Sequence, residues 1–185
     1  MDPDFYQALK QKYGSLLYFG SFNLTKSRTL ANELVWKWTE ATGKYVGCQF
    51  WSRNARAAFD AEVSLAGGWP IAPTLARKIE RKLSEKGANG VKRSPSSRLT
   101  HEHVYPIKDM KQLLYGNTTR TVEEIRKLFD HHCVGCVVLE SEHDRFSGDE
   151  INPWIRYAKA RIKLADNPAW PYTQRQMIVE AGLLE

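Results

Sequence analysis

The chain has no long apolar run. Nowhere in its 185 residues does an uninterrupted apolar stretch approach the ~18 residues needed to span a bilayer. The opening residues, Met1-Asp2-Pro3-Asp4, are acidic where a secretory signal is basic and then apolar. The expectation is a cytoplasmic protein with no membrane partner. Cysteine is scarce: Cys48, Cys133 and Cys136 are an odd and small set, which rules out a disulfide framework. Phosphate-binding P-loops, G-x-S-x-G elbows and dinucleotide-binding glycine patterns are missing as well, so P-loop nucleotide hydrolysis and serine hydrolase chemistry are poor expectations. There is no internal repeat and no long low-complexity stretch.

What is present suits a folded domain. Hydrophobic residues make up 42% of the chain and aromatics 11%, enough for a real core. The length fits a single domain over 1–185, with a helical, basic part over 1–98 and a candidate catalytic part over 99–185.

Lys and Arg number 27 against 21 Asp and Glu, a net charge of +6. That surplus is concentrated. Arg77, Lys78, Arg81, Lys82, Lys86, Lys92, Arg93 and Arg98 face only Glu80 and Glu85 across one segment. A second basic stretch, Arg156, Lys159, Arg161 and Lys163, contains no acid. Concentrated positive charge attracts polyanions, and a basic helix running into a Gly/Ser/Pro loop is a common grip on a phosphate backbone. Arg77, Lys78, Arg81, Lys82, Lys92, Arg93, Arg98, Arg156 and Lys159 are therefore the expected nucleic-acid contacts, with DNA favoured over RNA. The alternative is a solvated helix face followed by a soluble loop.

The pattern of caps and breakers predicts an α+β fold, several helices around a small sheet. Helices are expected over 4–13 and from Ser27 or Thr29 to about Ala41, and a strand over 44–50. Ser52 should cap a helix from Arg53 to Leu65 that Gly67-Gly68 closes, and Pro73-Thr74 should open a basic helix to about Glu85. The stretch 99–107 reads as extended, since Pro106 disfavours helix at Tyr105, and a short helix follows over 109–114. Thr121 and Glu124 have capping-box spacing, which predicts a helix to about His131. The β-branched stretch 134–140 reads as a buried strand, after which Ser141 should cap a turn holding Glu142 and His143. Asn152-Pro153 should start a helix reaching about Leu164, and the last helix should run from Thr173 to Gly182.

All five histidines, His101, His103, His131, His132 and His143, fall between positions 101 and 143. Imidazole both ligates metals and moves protons near neutral pH. In His101-Glu102-His103-Val104-Tyr105-Pro106 a strand would turn Glu102 away from both histidines, and a twist at the strand end would bring Glu102 and His103 towards one ion or water. A carboxylate beside an imidazole suits a hard cation and a proton acceptor. An exposed polar edge strand is the plainer alternative. The later segment 134–146 reads as a strand, a cap and a turn presenting His143.

Together these two segments resemble the ββα-metal nucleases, the HNH group. There, a strand ends in an acid-His pair followed by an apolar residue and often Pro, as in Glu102-His103-Val104-Tyr105-Pro106. A second strand then leads into a helix bearing a metal-binding His, as in Val137-Val138-Leu139-Glu140-Ser141-Glu142-His143. The resemblance covers about 45 of the 185 residues. It implies a ββα-metal motif in which His103 is the general base, Glu102 and His143 hold one Mg²⁺ or Mn²⁺ ion, and Arg145 or Arg156 clamps a phosphate oxygen. His101 joins the catalytic candidates.

Three other uses of these residues remain. His101, His103 and His143 would serve a metal-independent nucleic-acid enzyme as acid and base. The basic segment would serve a non-catalytic nucleic-acid or protein-binding module. His131-His132-Cys133-Val134-Gly135-Cys136 offers four ligands for a structural Zn²⁺, against which stands ordinary packing of buried cysteine. The six tryptophans read chiefly as core and inter-helix packing, with base stacking as the alternative. A homodimer would suit a palindromic target.

Overall fold

A computed structural model describes residues 45, 48–84, 94–114, 121–147, 151–168 and 170–184. The helices expected before residue 44, together with Lys86, Lys92 and Arg93, lie outside the described residues. The fold is α+β: among the described residues, seven helices accompany one small mixed sheet of three strands. The strands are β1 (Phe50–Trp51), β2 (Leu99–His103) and β3 (Gly135–Leu139), in the order β1-β3-β2. β1 and β3 run parallel, with Phe50 opposite Cys136 and Trp51 opposite Val137. Glu140 N–H donates to Arg98 O, and Val104 N–H to Val134 O. One chain index rises as the other falls, so β2 is antiparallel to β3. Every residue of β3 is buried, as expected of the central strand.

The chain forms two compact units. One combines Gln49–Glu102 with Cys136–Glu185, the other Met1–Cys48 with His103–Gly135. Each draws on both sides of position 98.

In the first unit, α1 (Arg53–Leu65) starts at Ser52, whose hydroxyl accepts from Ala55 N–H at 3.0 Å. Gly67 and Gly68 have φ of 110° and 85° and turn the chain after it, a conformation that suits residues lacking Cβ. α2 (Pro73–Ser84) packs on α1. Ala76, Ile79 and Leu83 are buried, an i, i+3, i+7 stripe. Phe50 lies between Trp154 and Trp170, at 5.0 Å from each. Trp154 Nε1 donates to Gln174 Oε1 of α7 (Tyr172–Glu180) at 2.8 Å, which satisfies the one polar atom of a fully buried indole. Trp51, Trp154 and Trp170 are thus core, as their composition suggested.

Several boundaries differ from expectation, and among the described residues the strand expected over 44–50 is only Phe50–Trp51. α5 (Glu140–His143) begins one residue before Ser141, and its first turn is closed by Glu142, whose carboxylate accepts from Leu139 N–H at 2.9 Å. The helix expected from Pro153 to Leu164 is only α6 (Ile155–Lys159). Asn152 Oδ1 takes Trp154 N–H and forms a turn, while Arg161 adopts a φ of 54°. Leu164 then bridges Ser52, and Ala165 N–H bonds to Trp51 O. Pairing alongside β1 displaces the helix.

In the second unit, α3 (Ile107–Leu114) starts two residues earlier than expected, and α4 (Val122–His132) carries the expected capping box. Thr121 N–H donates to Glu124 Oε2 at 2.6 Å and Glu124 N–H to Thr121 Oγ1 at 3.2 Å. Ile125, Phe129, Met110 and Val104 are buried. The free Cys133 thiol donates to Met110 Sδ at 3.4 Å.

Candidate active site

Glu102 and His143 fall in the same compact unit. β2 carries Glu102 and α5 carries His143, and the antiparallel pairing of β2 with β3 brings the two together. His143 Nε2 is 2.9 Å from Glu102 Oε2. The second carboxylate oxygen, Oε1, accepts from Arg156 Nη2 of α6 at 2.9 Å. Exposure differs along this row: the side chain of Glu102 is 12% exposed, that of Arg156 10% and that of His143 44%. The imidazole therefore stands at the solvent edge of a largely buried Arg-carboxylate pair. Its pKa is raised above the ordinary 6.5, first by the hydrogen bond to Glu102, with burial and Arg156 opposing.

The basic pattern of residues 156–163 predicts an outward, phosphate-facing Arg156. The structure corrects this. Arg156 is buried, its guanidinium lies 5.2 Å from the Phe146 ring, and its charge is committed to Glu102. Phe146 also meets Tyr157 at 4.6 Å, edge to face. The fully buried Tyr157 phenol is pushed well above its ordinary pKa, by burial first, so it stays neutral.

Glu142 was not a candidate, yet it is the buried carboxylate that fixes α5. Its Oε2 accepts from Ser52 Oγ at 2.5 Å and from Leu139 N–H at 2.9 Å, and its Oε1 from Asn54 Nδ2 at 2.9 Å. The N-terminus of α1 and the only turn presenting His143 are thereby tied at one carboxylate. Ser52-x-Asn54 and Glu142 are 90 residues apart, so no local spacing signals the link.

The other candidates are distributed. His103 ends β2 and is buried, and His101 is half-buried. Arg145 is exposed, 3.9 Å from Glu142 Oε1. Arg77, Lys78, Arg81 and Lys82 all lie on the exposed face of α2. Lys82 is paired with Glu62, and Arg98 with Glu140. Lys159 is exposed.

In the other unit, His131 Nε2 lies 3.2 Å from the Tyr105 hydroxyl, and His132 Nδ1 lies 3.1 Å from Leu128 O. Burial, and then Asp130, drives the Cys133 thiol pKa far upward. Among the described residues, no group of three or more His, Cys, Asp or Glu is arranged around a common metal position.

A smaller demand suits Glu102 and His143. Mg²⁺ is commonly held by one or two carboxylates, with water and substrate phosphate supplying the rest. Adjacent ligands of an octahedral ion bound at about 2.1 Å lie about 3 Å apart, the spacing of Oε2 and Nε2 here. One carboxylate oxygen and one imidazole nitrogen therefore fit as neighbouring ligands of a single hard cation.

Neither a protein-family model, nor a curated protein, nor a solved structure matches the chain.

Proposed function

We propose that this protein is an endonuclease that hydrolyses phosphodiester bonds of nucleic acid, DNA in preference to RNA, with one Mg²⁺ or Mn²⁺ ion. The observation that carries the reading is the meeting of Glu102 and His143 at 2.9 Å, across 41 positions of sequence. Glu102 and His143 would hold the ion, which when bound would polarise a phosphate oxygen and stabilise charge building on the phosphorane and the leaving oxygen. Arg156 fixes the orientation of Glu102 and offsets its charge before substrate arrives. The resemblance to the HNH group assigns the proton of the attacking water to His103. Arg145, exposed beside α5, takes a phosphate oxygen. The exposed cations of α2 hold the backbone on either side of the cut.

The test is cleavage of plasmid DNA and a structured RNA with Mg²⁺, Mn²⁺ or EDTA, by wild type, H103A, E102Q and H143A. Metal-dependent nicking that falls at least 100-fold in each variant supports the reading. Cleavage that persists in EDTA discards the ion. Salt-sensitive binding without any cleavage, across varied sequences and modified bases, replaces the enzyme with a nucleic-acid-binding module.

A further inference from the structure

The turn between α1 and α2 presents an aromatic side chain that the proposed chemistry does not use. Trp69 is 54% exposed, although a lone indole on a surface buries little apolar area. Scattered exposed hydrophobics are ordinary, and Leu65 nearby is one, at 83%. Trp69 differs because it is held. Its Nε1 donates to Asp60 Oδ1 at 3.1 Å. The same carboxylate takes Arg56 Nε at 2.9 and 3.1 Å, and the Arg56 guanidinium lies 5.3 Å from the indole ring. Phe59, itself buried, approaches the ring at 6.3 Å and 40°. One carboxylate thus fixes both the indole and the guanidinium on the exposed side of α1.

We infer that Trp69 and Arg56 form a stacking platform for an unpaired nucleobase of a single-stranded nucleic acid. This rests on the nucleic-acid reading and names the form of polymer held at this surface. Three features converge on that ligand. An indole held in place before binding loses little entropy when a flat partner stacks on it. The Arg56 guanidinium lies over one face of the indole, which leaves the other face for a base, and it is itself a stacking and phosphate-binding group. The helix packed on α1 carries exposed Arg77, Lys78 and Arg81, with Lys82 paired to Glu62. Indole faces with a surrounding cationic track are the usual means of holding single strands without reading sequence. A duplex keeps its bases stacked inside and offers the platform none.

Binding of a fluorescein-labelled thymidine 20-mer, an RNA 20-mer and a duplex of equal length is measured by anisotropy, with wild type, W69A, W69F and Y172A. Tyr172 is the control, exposed at 79% on α7. Loss of one stacked base weakens binding by about tenfold, so W69A is expected to lose about that for both single strands and under twofold for duplex. W69F is expected to keep most of the affinity, and Y172A all of it. Quenching of tryptophan emission by the single strand, present in wild type and much reduced in W69F, reports the stack should W69A fold poorly. Equal binding by W69A and wild type, or equal loss on single strand and duplex, overturns the platform and leaves the nuclease reading standing. Wild type that binds no nucleic acid overturns both.

Discussion

Glu102 is the residue on which the site turns. Its two oxygens serve different partners: Oε2 meets a half-exposed imidazole and Oε1 a buried guanidinium. The raised pKa of His143 follows from the first of these, and it fixes a pH dependence. A base whose folded pKa lies above its unfolded value contributes stability that is complete below the unfolded pKa, near 6.5. That contribution is lost as pH rises through the folded pKa. In E102Q the His143 titration, followed by imidazole NMR, is expected to fall back towards 6.5, and the stability difference from wild type should shrink above that window. Protons and metal compete for Nε2, so Mg²⁺ should lower the apparent His143 pKa in wild type and have no effect on it in E102Q. An unchanged titration on Mg²⁺ addition to wild type would remove the ion from this site.

Glu142 makes the second residue-scale prediction. It is 2% exposed and accepts three hydrogen bonds from neutral donors, and a buried donor left without its acceptor costs about 1–3 kcal/mol. E142A should unfold in denaturant with a loss of that order. E142Q keeps the shape but cannot accept from every donor, and should lose less.

Elements show which parts of the fold are self-contained. α4 has its own N-terminal closure in Thr121 and Glu124, and T121A is expected to cost about 1 kcal/mol. Ser52 does more than cap α1, since its hydroxyl also donates to Glu142. S52A should therefore cost about twice as much as T121A, and a double-mutant cycle with E142Q should show coupling. On α2 the two faces separate cleanly. L83A removes a buried side chain and should cost about 2–5 kcal/mol, whereas R81A, on the exposed face, should move stability by less than about 0.5 kcal/mol. Thermal unfolding of the two variants checks the contrast.

At the scale of the whole molecule, the net charge of +6 matters through its placement. Arg156 spends its charge internally on Glu102, and Lys82 and Arg98 face acids of their own fold. Arg77, Lys78 and Arg81 are the other cations exposed on α2. Each cation that neutralises a phosphate contributes about 0.9 to the slope of log affinity against log salt. The triple variant R77A/K78A/R81A should therefore lower that slope by about 2 to 3, as measured by titration across salt concentrations. An unchanged slope would assign binding to another surface. Among the described residues, no helix is long and apolar enough to cross a membrane.

Features controlled by short-range chemistry are legible in the order of residues alone. The span of α1 is set by Ser52 and Gly67-Gly68, the closure of α4 by Thr121 and Glu124, and the burial of β3 by a β-branched run. Each is decided by groups within a turn or two of one another. The same order also marks Glu102 and His143, because acid-His and strand-turn-His patterns are local. Tertiary structure decided what depends on distant pairing. Arg156 reads as one more surface cation, until a carboxylate 54 residues earlier draws it inward. Residues 160–164 read as helix, until pairing beside β1 satisfies their backbone better. Glu142 reads only as part of the turn that holds His143, until the N-terminus of α1, 88 to 90 positions away, supplies its donors. A buried charge needs a specific partner, and the chain fixes that partner only once it has folded.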